Sequence, residues 1–217
     1  MNKFAEFFWN TDKRCKVHKW HHYFDIYDRH FSKFKGKNPV ILEIGIYKGG
    51  SLEMWNHYFD GNCSIIGIDI NPECKEIEKM FPNVKIFIGN QADDAFLAYV
   101  KSNISKIDII IDDGSHISSD VIKTFELLYP IVSVGGVYLV EDLHTSYWEE
   151  FDGGLEKNGS SIEYFKKCID KLNAKHIRQK DVNRDFSNIT QSIHFYDSIT
   201  VIEKHDVIQY YVDNSIR

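Results

Sequence analysis

What this chain lacks narrows the reading first. No apolar run approaches the ~20 consecutive residues that cross a bilayer as a helix, so no membrane partner is expected. The four cysteines, Cys15, Cys63, Cys74 and Cys168, form no C-x-x-C pair. They read as free thiols in a reducing compartment, which makes the cytoplasm the expected location. The first twenty residues have neither the long apolar core nor the small-residue cleavage site of a secretory signal. Basic residues do not dominate: 26 Lys and Arg against 32 Asp and Glu leave a formal net charge of −6. A broad phosphate-neutralising surface needs the opposite balance, so no nucleic-acid partner is expected. Internal repeats, low-complexity segments and an interdomain linker are also missing.

What is present reads as a folded chain. Of its 217 residues 43% are hydrophobic and 27% charged, enough for one domain with a real core. Continuous apolar runs at 39–45, 63–70, 83–90, 106–113 and 135–142 alternate with helical stretches at 51–59, 72–81, 92–103 and 118–132. That alternation predicts a doubly wound, mostly parallel, Rossmann-like α/β sheet. Ser51 and Ser118 or Ser119 are the expected helix caps, and Pro72 the start of another helix. Ahead of the first strand, Trp20, Phe24, Tyr27 and Phe31 share one helical face. A long loop follows Asp142, then a helix at 161–173. The stretch 189–205 alternates apolar and polar residues about Asp197-Ser198, which predicts an antiparallel pair or one long edge strand. The expected organisation is a single domain over 1–217. Residues 1–38 form a helical lid, 39–142 the cofactor-binding core, and 143–217 an acceptor loop, a helix and terminal strands.

Ligands of such sheets sit at the carboxyl ends of the strands. The first strand ends in "LEIGIYKGGS", offering Glu43, Gly45, Tyr47, Lys48, Gly49 and Ser51. Tyr47 stands where a dinucleotide fingerprint needs its second glycine. The pattern E-x-G-x-x-x-G suits a ligand with an ammonium group and no pyrophosphate. Asp69, 24 residues beyond Gly45, is placed to accept from two ribose hydroxyls. Asn90, Gln91 and Asp93 follow the third strand, where an adenine would lie. Three successive strand ends thus fit S-adenosylmethionine. The plainer alternative is a set of turn glycines and capping acids.

The fourth and fifth expected strands end in paired acids, Asp112-Asp113 and Glu141-Asp142. Four part-buried carboxylates on neighbouring strands repel one another, so either their pKa values rise or a cation sits among them. All-oxygen donors favour Mg²⁺, Mn²⁺ or Ca²⁺. The plainer reading is again helix caps paired with lysines. His116, three residues after Asp113, is a candidate general base, and His144 a weaker one. His18, His21 and His22 have zinc-like spacing without an evident fourth ligand.

In order along the chain, "TDK…HHYFDIYDRHF", "ILEIGIYKGGSLEMW", "GIDI", "GNQAD", "IIDDGSH", "GGVYLVEDLHTSYW" and "IHFYDSITVIEK" resemble the metal-dependent macrocin/mycinamicin sugar O-methyltransferases, which are grouped with the cephalosporin hydroxylase-like proteins. The resemblance covers most of the chain. It implies a class I methyltransferase fold, S-adenosylmethionine as donor and Mg²⁺ held by Asp113, Glu141 and Asp142. It also implies His116 as the general base, Asp112 on the cofactor side, and a sugar hydroxyl of a glycoside, nucleotide sugar or surface-glycan precursor as acceptor. A homo-oligomer is compatible with it. Two readings stand beside it: Mg²⁺-dependent methylation of a catechol-type molecule, and a non-catalytic cofactor-binding protein, against which the acid-acid-His set argues. The sequence departs from the family in having only about forty residues before the first strand and Asn90 where relatives carry an acid. Residues 151–190 hold no recognised motif and are the expected seat of acceptor specificity.

Overall fold

The computed structural model describes residues 3–10 and 12–206; the end of the expected acceptor region, 207–217, lies outside them. Five parallel strands, β1 (Val40–Ile44), β2 (Ser64–Asp69), β3 (Val84–Ile88), β4 (Ile109–Asp112) and β5 (Val137–Val140), continue into an antiparallel hairpin, β6 (Thr190–Tyr196) and β7 (Ile199–Lys204). The order across the sheet is β3-β2-β1-β4-β5-β7-β6. The hairpin resolves the two readings of 189–205, with β7 beside β5 and β6 at the edge.

Strand side chains alternate between faces, and both faces are covered. Ile41, Ile109, Ile111, Val137 and Leu139 pack with Phe4 and Phe7 of α1 (Lys3–Asn10), Tyr27 of α2 (Tyr23–Phe31) and Trp55 of α3 (Gly50–Tyr58). Leu42, Ile110, Tyr138 and Val140 pack with Leu97 of α4 (Asp94–Ser102), Phe125 of α5 (Ser118–Leu128) and Phe165 of α6 (Ser161–Leu172). Burial on both sides is why these strands read as unbroken apolar runs.

Local details depart from the sequence reading. Gly49, at φ 75°, precedes α3, and Ser51 bonds Glu43 instead of capping the helix. Residues Pro72–Met80 form 3₁₀ turns capped by Asn71; Lys75 and Glu78 tie them to the backbone of Ile86 on β3. Helix α5 has no side-chain cap, and the buried Ser118 hydroxyl has no partner. Trp20 lies outside α2 and is 55% exposed; the buried face of that helix is built from Tyr23, Phe24, Tyr27, His30 and Phe31 instead.

The register sets the site. Ile44 pairs with Asp112, and Asp112 with Val140. The residues that follow, Gly45, Asp113 and Glu141, therefore leave the sheet side by side. Gly45 has φ +83°, and a Cβ there would fall 2.0 Å from the Asp113 carbonyl oxygen. Only glycine permits both that turn and that approach.

Candidate functional site

The strand ends open into a cleft of about 870 Å³. Of the expected cofactor residues, Gly45, Tyr47, Lys48, Asp69, Asn90 and Gln91 line it; Glu43, Gly49, Ser51 and Asp112 do not. Asp69 Oδ2 accepts from the backbone N–H groups of Ile46 and Tyr47 at 3.1 and 2.9 Å, and its Oδ1 from that of Asn71. The carboxylate thus pins the glycine-bearing loop as well as facing the cleft. Gln91 accepts from Ser115 N–H at 2.7 Å and donates to Asp112 and Thr124. It braces the Gly114-Ser115 turn. Asp93 caps α4 through Ala95 and Phe96 N–H, away from the expected adenine role.

Glu43 and Asp112 lie one register step apart on neighbouring strands, so their side chains point to opposite faces of the sheet, and each is buried there. Glu43 Oε2 accepts from Ser51 and Trp55, both at 2.9 Å, while its Oε1 is buried without a hydrogen-bond donor. Asp112 accepts from Gln91 at 3.1 Å and Tyr138 at 3.3 Å. Burial raises both groups to about 7, since a low dielectric disfavours the charged form.

At the other end of the cleft stand Asp113, His116, Glu141 and Asp142. His116 Nε2 lies 3.8 Å from Asp113 Oδ1 and 4.0 Å from Asp142 Oδ2. These three residues bring ligand-type atoms within 4.8 Å of one another. His116 and Asp142 both adopt positive φ, 59° and 52°. That backbone strain is tolerated where the surroundings fix a functional geometry. Two successive strand residues would point to opposite faces, but Asp142 leaves strand geometry and lines the cleft together with Glu141.

Glu141 is differently placed. Its Oε1 accepts from Tyr27 and its Oε2 from Lys19, both at 2.7 Å. Burial raises it to about 8 against the pull of Lys19. Lys19 also donates to Asp113 Oδ2 at 2.7 Å and lies 3.7 Å from Glu43 Oε1. Burial alone would depress the Lys19 ammonium; Asp113, Glu141 and Glu43 outweigh it and hold the pKa well above the ordinary value. Tyr23 donates to Asp142 Oδ1 at 2.7 Å. Lys19, Tyr23 and Tyr27, four residues apart, thus each hold an acid of the cluster. The sequence reading missed Lys19 and Tyr23 and took Tyr27 as packing alone. The four-residue spacing was visible, but Lys19 lies ahead of α2, and nothing local marks these side chains as facing carboxylates.

The histidines at 18, 21 and 22 do not converge on a zinc site among the described residues. His21 packs against Phe8, Trp9 and Phe24. His22 Nε2 lies 3.2 Å from the Asp197 carbonyl oxygen. His144 Nδ1 is 2.6 Å from Ser198 Oγ, and its ring contacts Trp20 and Trp148.

Residues 42–143 match a family described as "Methyltransferase domain". The chain is 34% identical over 198 residues to the 8-demethyl-8-alpha-L-rhamnosyl tetracenomycin-C 2'-O-methyltransferase of Streptomyces olivaceus, covering 86% of this chain and 51% of that protein. It is likewise 34% identical to the mycinamicin VI 2''-O-methyltransferase of Micromonospora griseorubida, over 82% of this chain and 47% of that one. The chain therefore spans about half the length of these relatives. A solved structure of the MycE methyltransferase from the mycinamycin biosynthetic pathway, in complex with Mg and SAH, superposes with a TM-score of 0.82 at 29% identity, covering 93% of this chain and 54% of that one. The fold is that of class I S-adenosylmethionine methyltransferases. Residues 42–143 are a methyltransferase domain, and the chain that carries it is a relative of the tetracenomycin and mycinamicin sugar O-methyltransferases.

Proposed function

We propose that this chain methylates a sugar hydroxyl of a glycoside, using S-adenosylmethionine and Mg²⁺. The observation that carries the reading is one cleft with two chemically distinct ends: Asp69 and Asn90 at one, His116 between Asp113 and Asp142 at the other. Relatives named for 2'-O and 2''-O methyl transfer, and a similar structure holding Mg and SAH, support it.

The donor set fits a hard cation. Asp113 Oδ1 and Asp142 Oδ2 both face His116 Nε2, at 3.8 and 4.0 Å, whereas both Glu141 oxygens already accept one hydrogen bond. Mg²⁺ takes one or two carboxylates and fills its remaining positions from water or substrate. Asp113 and Asp142 would hold it, with Glu141 joining through a remaining lone pair. Bound there, the ion supplies Lewis acidity that makes an acceptor hydroxyl easier to deprotonate. Gly45, Tyr47, Lys48, Asp69, Asn90 and Gln91 would hold the cofactor, which supplies a methyl group on a sulfonium.

His116 takes the hydroxyl proton at a ring nitrogen. The Asp113 and Asp142 carboxylates beside Nε2 stabilise the imidazolium that results. Charge is lost as the methyl moves, so a water-poor cleft favours the step. The test is incubation with S-adenosylmethionine, Mg²⁺ and rhamnosyl glycosides, read by mass spectrometry. The expected product carries one added methyl on the sugar and disappears with chelator. Product formation that ignores chelator would contradict the metal role.

A further inference from the structure

Lys19 belongs to a strap, residues 12–22, that crosses the acid end of the cleft. The strap is fastened along its length. Arg14 and Cys15 donate backbone N–H bonds to Glu53 Oε2 at 3.0 and 2.9 Å. A Cβ on Gly50 would lie 2.2 Å from the Lys16 carbonyl oxygen, so the strap backbone rests directly on the start of α3. His22 meets the Asp197 carbonyl at the hairpin, and Tyr23 follows with its bond to Asp142. Between these fastenings the Lys19 side chain, 4% exposed, drops among Glu43, Asp113 and Glu141.

We propose that Lys19 is a fixed internal cation of the acid cluster, whose charge sets how tightly the cluster holds a divalent ion. The inference rests on the reading of Asp113 and Asp142 as ion ligands. Lys19 takes Asp113 Oδ2 and Glu141 Oε2, and leaves Asp113 Oδ1 and Asp142 Oδ2 toward His116. An ion held by Asp113 would therefore share that carboxylate with the Lys19 ammonium. Without Lys19, the carboxylates of Asp113, Glu141 and Asp142 would have the ion as their one cation. With it, the cluster is one unit less negative, and the repulsion between two cations at close range weakens binding. An ion held this way would depend more on oxygens of the acceptor.

The test is titration of Mn²⁺ into the chain saturated with S-adenosylhomocysteine, at a pH where the buried acids are ionised. Wild type is compared with Lys19→Met, Lys19→Gln and Lys19→Arg. Lys19→Gln keeps a donor for the carboxylates and loses the charge, so it carries the test if the Met variant does not fold. Unchanged affinity for S-adenosylhomocysteine reports folding. The expected result is Mn²⁺ affinity raised roughly ten-fold or more in the neutral variants and near wild type in Lys19→Arg. Neutral variants that bind Mn²⁺ no more tightly than wild type overturn the proposal. Wild type that binds S-adenosylhomocysteine but no Mn²⁺ overturns the ion reading, and this inference with it.

Discussion

Tyr27 donates its phenolic hydrogen to Glu141 Oε1 across 2.7 Å, with the tyrosine fully buried and the carboxylate 2% exposed. The bond joins α2 to the end of β5. Tyr27→Phe removes the donor and leaves a buried carboxylate oxygen unsatisfied. The expected loss is about 1–3 kcal/mol, measured by urea unfolding. A change within error would mean that Glu141 finds water or another donor.

The buried acids give stability a pH dependence with a definite sign. Burial raises Glu43 and Asp112 to about 7 and Glu141 to about 8, above their ordinary values of 4.5, 3.8 and 4.5. The folded chain keeps these protons where the unfolded chain has released them. Their contribution is therefore full below the ordinary carboxylate range, falls as pH rises above it, and is gone once pH has passed 7 to 8. In the absence of divalent ions the melting temperature should fall across that interval. Glu141→Gln, which cannot ionise, should flatten the slope; an unchanged slope would remove Glu141 as a source.

His116→Ala should lower turnover by roughly 10²–10⁴-fold. S-adenosylhomocysteine affinity should stay at the wild-type level, because His116 stands at the acid end of the cleft beside Asp113 and Asp142. Near wild-type turnover would assign proton removal elsewhere.

Gly50→Ala tests the seating of the strap. The added methyl carbon would sit 2.2 Å from the Lys16 carbonyl, too close for any side chain to yield around. The strap must lift, at an expected cost of about 1–3 kcal/mol. Trypsin should then cut faster after Arg14 and Lys16. Unchanged cleavage would mean that α3 shifts instead.

The fold was legible because both sheet faces are buried, which turned five strands into apolar runs that alternate with helices. The acid pairs after β4 and β5 were legible for a similar reason: charge at the end of a buried run needs a cause. Side-chain direction was not legible. Glu43 and Asp112 carry site-like chemistry but point into the core, where Ser51, Trp55, Gln91 and Tyr138 meet them. Lys19 and Tyr23 were missed because their partners are about 100 residues away in sequence, and only the packing of the strap onto the sheet brings them together. Ser51 looked like a helix cap because serine usually is one before an apolar run; here a buried glutamate claims its hydroxyl.

The central claim is that the cleft binds a methyl-donor cofactor at the Asp69 end. Calorimetric titration of S-adenosylhomocysteine tests it most directly, with wild type beside Asp69→Ala. Saturable one-to-one binding to wild type, weakened at least about ten-fold in Asp69→Ala, is the expected result. No saturable binding to the wild-type chain would contradict the account.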